Sequence, residues 1–273
     1  MKKHLSTIIL ILVFLTGLSL LLYPSVSDYW NSLHQSRAIA SYANDVAALD
    51  DDTYEQMWEA ARAYNSRLAE KEKPLLMSAQ ETAEYETLLD VSGSGIMGYI
   101  EIPEIKVSLP VYHGVDEGVL QVAVGHIPGT SLPVGGTGTH NVLSGHRGLP
   151  SAKLFTNLDQ LREGDLFLLR VLDEILTYEV DQILIVEPHQ LEALSIDPAE
   201  DYCTLVTCTP YGVNTHRLLV RGHRIENQAD SSSIRITADA MQVEPVLVAP
   251  VVAAPILLVL LVWLLIKYRK KRD

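Results

Sequence analysis

The 273-residue sequence predicts a mainly β domain, either a barrel or a sandwich, preceded by a helical region. It also predicts a transmembrane helix at each end of the chain. From Gly98 onward, short apolar runs alternate with turn residues, as they do in antiparallel β domains. Residues 27–72 instead carry apolar positions at helical spacing. Two uncharged runs, residues 5–23 and 245–266, have the length of a bilayer crossing.

Composition excludes several other classes of protein. The chain is 48% hydrophobic and 20% charged, which argues against disorder, and two cysteines cannot build a disulfide scaffold. Acidic residues outnumber basic ones 34 to 21, whereas a nucleic-acid-binding surface needs excess Lys and Arg. Residues 24–266 are more acidic still, with 33 acidic and 14 basic side chains. We therefore expect no nucleic-acid partner.

The first apolar run follows Lys2 and Lys3 and reads LSTIILILVFLTGLSLLLY. At a helical rise of about 1.5 Å per residue, this run nearly crosses a bilayer core of roughly 30 Å. We expect an uncleaved signal-anchor over residues 1–23. The alternative is a cleaved signal peptide, with cleavage near Ser27 after the weak small-residue pattern Ser25-Val26-Ser27.

The second apolar run, residues 245–266, is followed directly by the basic tail KYRKKRD, residues 267–273. Pro250 and Pro255 disturb its first half, so the dependable helical part begins at Ile256. Basic residues flank both runs on the side away from the domain, and the positive-inside rule places both termini in the cytoplasm. We therefore expect a protein of the cell membrane with an extracytoplasmic domain.

Residues 24–97 form the predicted helical region. Acidic residues 50–52 followed by Thr53 favour a helix start there, and Pro74 marks the predicted helix end. Residues 73–94 then form a connection to the β domain. The apolar face of the predicted helix carries Met57, Ala61, Tyr64 and Leu68.

The β domain is predicted over residues 98–228, with a linker over residues 229–244. Asp173 and Glu174 separate two strand-like runs and predict a two-residue hairpin. No glycine-rich phosphate loop, dinucleotide fingerprint or zinc spacing occurs, so we expect neither a cofactor nor a metal. The strand-like runs are GYIEIP, VSLPVY, HNVLSGH, LFLLRVL, ILTYEVDQILIV, DYCTLVTC and HRLLVRGHRI.

The two cysteines stand at the two ends of one strand-like run. Cys208 is followed by Thr209 and Pro210, so its thiol is predicted at a strand end beside a loop. Cys203 lies five residues earlier, and this odd separation puts the two side chains on opposite faces of the strand. A disulfide between them is therefore poorly placed. Spacing alone leaves Cys208 open as a nucleophile or as an inert structural thiol.

Two further positions are candidates for chemistry. His146 lies between two glycines in SGHRG, where the backbone can turn sharply and present the ring, although eight other histidines make a surface role equally open. Arg217 begins an alternating strand-like run and by itself indicates only a solvated strand residue. A position directly across from Cys208 on a neighbouring strand would let its cation stabilise an oxyanion.

The motifs over residues 98–224 resemble the catalytic domain of the class C sortases, the pilin-polymerising cysteine transpeptidases of Gram-positive bacteria. The resemblance is carried by TLVTCTPYGVNTHRLLVRGHR at 204–224, THNVLSGHRGLPSAKLF at 139–155 and GTSLPVGG at 129–136. It implies a sortase-type barrel of eight strands. It also implies Cys208 as the nucleophile, His146 as the general acid and base, and Arg217 as the residue that stabilises the oxyanion or positions the substrate.

The reaction implied by the resemblance is cleavage of an LPxTG-like sorting signal between Thr and Gly through a Cys thioester. A lysine amine of a pilin then takes the acyl group, which builds covalent pili. The implied partners are pilin subunits and the lipid bilayer, and we expect the protein to be a monomer.

Alternatives to pilin polymerisation stay open. The chain could be a sortase that attaches surface proteins to peptidoglycan, a cysteine peptidase that uses water, or a non-enzymatic membrane-anchored β-domain. The class C pattern usually includes an Asp-Pro-aromatic lid motif before the barrel, and the corresponding stretch here reads EKEKPLLMSAQETAEYE. We therefore expect an atypical lid, with residues 74–77 as a candidate.

Overall fold

A computed structural model describes residues 5–227 and Leu258. The predicted linker 229–244, the second apolar run 245–266 apart from Leu258, and the basic tail 267–273 lie outside the described residues. The helices are α1 (Leu5–Ala47), α2 (Asp51–Ala69), α3 (Ala79–Thr87) and the short α4 (Glu117–Leu120). The strands are β1 (Ile96–Ile102), β2 (Val107–His113), β3 (Val124–His126), β4 (Thr139–Ser144), β5 (Leu166–Val171), β6 (Glu174–Val186), β7 (Asp201–Thr209) and β8 (His216–Ile225).

The eight strands form a closed barrel in the order β1-β2-β3-β4-β7-β8-β6-β5, so the expected eight-stranded, mainly β fold is confirmed. Two neighbouring pairs, β2–β3 and β4–β7, are parallel, and the other pairs are antiparallel. Closure removes the exposed edges that an open sheet would present. The parallel β4–β7 pair brings the carboxyl ends of both strands to one rim.

Two details of the barrel differ from the sequence-based prediction. Strand β3 was not predicted, because three residues are too short to show alternation. The β5–β6 hairpin turns at Leu172 and Asp173 rather than at Asp173 and Glu174, since Glu174 already pairs with Val171. Leu172 adopts the left-handed conformation at φ +53° and is buried, so tertiary packing places a leucine where turn chemistry would favour glycine or asparagine.

The helical region follows the prediction at its start and departs from it at its end. The Asp50 carboxylate accepts a hydrogen bond from the Thr53 amide at 2.8 Å, which caps α2 as expected. Helix α2 ends at Ala69, five residues before Pro74. The connection that follows contains α3, which begins with a reciprocal capping box between Ser78 and Glu81.

Helix α1 continues without interruption through Pro24 to Ala47, well past the predicted end of the signal-anchor. Within the part of the chain that the structure describes, it is the one helix long and apolar enough to cross a membrane. Its distal end packs on the barrel, where the buried Tyr42 hydroxyl donates to the Met97 carbonyl at 3.1 Å and accepts from the Leu172 amide at 2.7 Å.

His126 is a buried histidine that links α3 to the barrel. Its Nε2 lies 2.9 Å from the Ser131 carbonyl, which can only accept, so Nε2 carries the proton. Its Nδ1 lies 2.9 Å from the Tyr85 hydroxyl of α3, which therefore donates. Burial lowers the pKa of His126 to about 4, so the ring is neutral at pH 7.

We expect His126 to make the fold sensitive to acid. Because its pKa in the folded state lies below that of an unfolded histidine, about 6.5, its contribution is fully present above pH 6.5 and is lost as the pH falls toward 4. The loss amounts to roughly 3 kcal/mol at pH 4. Urea titrations of the detergent-solubilised chain and of His126→Gln, compared between pH 7 and pH 4, measure it. A stability difference between the two proteins that stays constant over this range would contradict the prediction.

Candidate active site

The candidate active site lies where the ends of β4 and β7 meet the start of β8. In the β7–β8 pairing, Cys208 stands directly opposite Arg217. In the β4–β7 pairing, Ser144 stands opposite Val206, so His146 and Cys208 each lie two residues beyond the last register pair. The barrel therefore brings to one rim the three residues singled out in the sequence.

Cys208 and Arg217 lie on the strand faces opposite those that form the main core, and His146 lies two residues beyond the end of β4. Val206, two residues before Cys208, and Leu219, two residues after Arg217, belong with Val142 to an apolar cluster separate from the main core. By strand alternation, Cys208 and Arg217 share the face of this cluster. The surrounding apolar residues that pack against the cluster are Ile127, Leu184, Val186, Ala193 and Leu194.

The two cysteines have different environments, as the odd spacing predicted. Cys208 is a half-buried free thiol next to the end of β7. Cys203 is fully buried and belongs to the main core. Burial raises the pKa of Cys203 well above the usual range of a thiol, because the thiolate cannot be solvated there. Cys208 is thus the thiol that solvent and a substrate can reach.

A glycine and two hydrogen bonds position the backbone before His146. The Gly145 amide donates to the Val206 carbonyl at 3.0 Å, and the Thr207 hydroxyl donates to the Gly145 carbonyl at 2.7 Å. A Cβ at position 145 would lie 2.6 Å from the Phe155 ring, so only glycine fits. The His146 carbonyl accepts from the Phe155 amide at 3.1 Å, and the residue is half-buried. These contacts therefore fix the backbone position of His146 just beyond the end of β4.

Arg217 is held by backbone oxygens rather than by an acid. Its Nη1 donates to the carbonyls of His216 at 3.1 Å and Asn214 at 3.3 Å. No carboxylate forms an ion pair with it within residues 5–227. Its positive charge next to Cys208 is therefore not neutralised by a neighbouring acid.

A second buried histidine, His140 in β4, shows why histidine count alone was uninformative. Its Nδ1 lies 2.9 Å from the Ser195 carbonyl, and its Nε2 lies 2.7 Å from the Thr204 hydroxyl. Burial lowers its pKa, and both ring nitrogens are already hydrogen-bonded. His140 therefore has a structural environment, unlike His146.

The segment between α2 and α3 contains the residues expected to form an atypical lid. Its backbone at Pro74 and Leu75 packs against Gly129, where an added Cβ would lie 2.7 Å from both the Pro74 carbonyl oxygen and the Leu75 Cα. Leu76 next to it is 69% exposed. A role of this segment as a lid remains a prediction.

No group of three or more His, Cys, Asp or Glu side chains is arranged to hold a metal ion within the described part of the chain. The chemistry that the rim can perform is nucleophilic attack by a thiol, with an imidazole and an uncompensated cation nearby.

Comparison with known proteins identifies the family to which the chain belongs. The family model described as "Sortase domain" matches residues 100–225. Sortase C1 from Streptococcus agalactiae is 49% identical, with a TM-score of 0.69, and the match covers 70% of this chain and 100% of that one. Sortase C from Streptococcus pneumoniae is 46% identical, with a TM-score of 0.64, and the match covers 71% and 98%.

A curated relative, sortase D of Bacillus subtilis (strain 168), is 29% identical over 131 residues, which is 47% of this chain. The chain spans 63% of the length of that relative. Near-complete coverage of two solved sortase C structures at more than 45% identity, together with the domain match, shows that the chain belongs to the sortase family, with class C sortases among its structural relatives.

Proposed function

We propose that this sortase is a membrane-anchored cysteine transpeptidase that joins pilin subunits. The observation that carries the proposal is the register pair between Cys208 and Arg217, with His146 at the same rim. The S. pneumoniae sortase C structure, which is described in terms of pilin substrate specificity, supports pilins as the substrates.

In the first half-reaction, the Cys208 thiolate attacks the Thr–Gly carbonyl of an LPxTG-like sorting signal. Arg217 stabilises the negative charge that develops on the carbonyl oxygen, or orients the carbonyl for attack. The C–N bond then breaks, and His146 in its protonated form gives a proton to the leaving glycine amine. The product is a thioester between Cys208 and the threonine carbonyl.

In the second half-reaction, a lysine amine of another pilin attacks the thioester. Neutral His146 takes a proton from this amine, the C–S bond breaks, and an isopeptide bond forms. Cys208 returns to its starting state. The partial exposure of Cys208 suits this step, because the acceptor amine must reach the thioester from solvent.

The membrane proposal rests on α1. The apolar first half of this helix spans the bilayer with Lys2 and Lys3 in the cytoplasm, so the barrel lies outside the cell. Just beyond the span, Tyr29 and Trp30 are more than half exposed, as suits aromatic residues at the membrane surface. We propose that residues 245–266 form a second crossing that returns the basic C-terminus to the cytoplasm.

Contacts of α1 bring the rim of the site close to the membrane. Asn31 Nδ2 donates to the Ser151 carbonyl at 2.8 Å, and the Lys153 amide donates to the Asp28 carboxylate at 3.0 Å. Ser151 and Lys153 belong to the loop that follows His146. Both substrates are then confined near the same surface, so tethering raises their effective concentration without tight binding.

Mass spectrometry of the joined product tests the proposed function. The full chain in proteoliposomes, given an LPxTG peptide and a pilin with an acceptor lysine, should yield a thioester at Cys208 and then a Thr–lysine isopeptide. Thioester formation followed only by a peptidoglycan-type amine adduct or by hydrolysis would favour the other sortase class or the peptidase. Failure to form any acyl adduct would favour a non-enzymatic domain.

We expect Arg217→Ala to lower the acylation rate about 10²–10³-fold, because one charged stabiliser of the oxyanion is lost. Arg224→Ala is the matched control, since Arg224 lies on the same strand and also donates to backbone carbonyls, those of Thr177 and Ile175. Single-turnover acylation by a sorting peptide measures both. Equal rates for the two folded variants would contradict the role of Arg217.

A further inference from the structure

Arg147 directly follows His146, and its side chain reaches the segment that follows Cys208. Its Nη1 donates to the Thr209 hydroxyl at 3.4 Å, and its guanidinium carbon lies 6.0 Å from the centroid of the Tyr211 ring. Its Nη2 forms an ion pair with Asp159. The Arg147 side chain is only 10% exposed. One largely buried cation therefore joins the loop after His146, the end of β7 and the 3-10 helix Leu158–Gln160.

The backbone beside Arg147 contacts the same two chain segments, through Tyr211 and Thr156. Gly148 adopts φ +76°, and a Cβ added there would lie 2.7 Å from the Tyr211 ring. The Gly148 amide donates to the Thr156 hydroxyl at 3.1 Å. Tyr211 thus packs directly onto the loop after His146, although 60% of the residue is exposed. Arg147 and Gly148 hold the same two loops together.

Along both chain segments, these contacts follow the proposed catalytic pair, whereas the β4–β7 pairing precedes it. The β4–β7 pairing ends at Ser144 and Val206, and hydrogen bonds of Gly145 with Val206 and Thr207 extend the contact to the residues just before His146 and Cys208. Arg147 then supplies a further link, to Thr209. Contacts between the two chain segments therefore occur both before and after the proposed catalytic histidine and cysteine.

We propose that Arg147 is a positioning residue that fixes the separation of His146 and Cys208, a role that rests on the transpeptidase activity proposed above. His146 must lie within about 2.6–3.2 Å of the amine that it protonates or deprotonates while Cys208 is bonded to the same carbonyl carbon. A displacement of about 1 Å can cost on the order of 10²-fold in rate. A link between the two chain segments next to the pair therefore acts on the rate of chemistry, not on the binding of peptide.

The planar guanidinium suits this role better than an ammonium group. It offers donors on two terminal nitrogens in a fixed fork while its face approaches an aromatic ring. Here the two terminal nitrogens reach Thr209 and Asp159, and the guanidinium carbon lies over the Tyr211 ring. The buried Nε makes no hydrogen bond within the described residues, so these three contacts set the orientation of the fork.

The barrel provides a matched control in Arg221. Its guanidinium donates to both oxygens of Asp181, at 3.0 and 2.7 Å, and lies 4.1 Å from the centroid of the Tyr202 ring. Arg221 stands opposite Thr204, four residues before Cys208. It combines an ion pair and a ring contact as Arg147 does, but it does not link the His146 loop to the end of β7.

The test compares Arg147→Ala with Arg221→Ala in the full chain, reconstituted in proteoliposomes, with a sorting peptide as substrate. We expect Arg147→Ala to lower kcat about 10–100-fold with KM changed less than about threefold, and Arg221→Ala to leave kcat within about threefold of wild type. Low-millimolar guanidinium should partly restore kcat in Arg147→Ala and have no such effect on Arg221→Ala. Asp159→Asn, a milder change at a half-exposed partner, should lower kcat in the same direction, and it serves as the test if Arg147→Ala does not fold.

The outcomes separate this role from the proposed function. If wild type forms the thioester and Arg147→Ala keeps its kcat, the positioning role is wrong and the transpeptidase proposal stands. If Arg147→Ala and Arg221→Ala lose the same amount of kcat and the same amount of melting temperature, Arg147 only stabilises the fold and the proposal is overturned. If wild type forms no thioester, the proposed function is wrong, and the positioning role is wrong with it.

Discussion

Replacing Cys208 with alanine should abolish both thioester formation and pilin crosslinking while leaving the fold intact. The variant removes the thiol that accepts the acyl group at the rim, and the other cysteine, Cys203, is fully buried in the core. Stability should change little, because Cys208 is half-buried next to a strand end and lies outside the main core. Intact-mass measurement after incubation with a sorting peptide, and pilin ladders from cells with this variant as their only sortase, provide the readouts.

Cys203 provides the matched control, since it lies on the same strand with its thiol buried in the core. Cys203→Ala should keep the thioester at Cys208 and lose about 1–2 kcal/mol of stability through the small cavity it leaves. Persistence of covalent ladders with Cys208→Ala would show that the acyl group is carried elsewhere. Loss of the thioester in folded Cys203→Ala would show the same.

The barrel was predictable from sequence wherever a strand formed a run long enough to stand out between turn residues. Strands β1, β2 and β4–β8 each contain such a run, whereas β3 contributes only Val-Gly-His and pairs with β2 and β4 through contacts distant in sequence. The hairpin shift has a similar cause, because burial of Leu172 in the core overrides the local preference for a turn residue. The signal for α3 was present, since Ser78 and Glu81 have capping-box spacing, but few apolar positions follow them.

The candidate site was predictable in its residues but not in its assembly. Cys208 and Arg217 lie on strands adjacent in sequence, so an antiparallel pairing could be anticipated, but the register that sets them opposite each other depends on the intervening turn. The approach of His146 depends on the parallel pairing of β4 with β7, which no local pattern encodes. For Arg147 the sequence signal was its position next to His146, and its contacts with Thr209 and Asp159 appear only in the folded chain.

His146→Ala should slow acylation by a sorting peptide about 10²–10⁴-fold, the range expected for loss of a general acid–base group. The matched control is His140→Gln, which changes a histidine of β4 whose two ring nitrogens contact Ser195 and Thr204. This control should lose stability but retain most of its acylation rate, because both ring nitrogens of His140 are hydrogen-bonded inside the fold. Rapid-quench measurement of the thioester gives both rates.

A second substrate separates the two roles proposed for His146. An activated thioester of the same sorting peptide has a leaving thiolate that needs no proton, so acylation of His146→Ala by this substrate should recover toward the wild-type rate. Transfer of the acyl group to a lysine amine should stay slow, because that amine still has to lose a proton to a base. If the transfer step in His146→Ala matches wild type, His146 is not the base for the second half-reaction. If His146 acts first as the acid and then as the base, the activated thioester should restore acylation of His146→Ala but not the transfer of the acyl group to lysine.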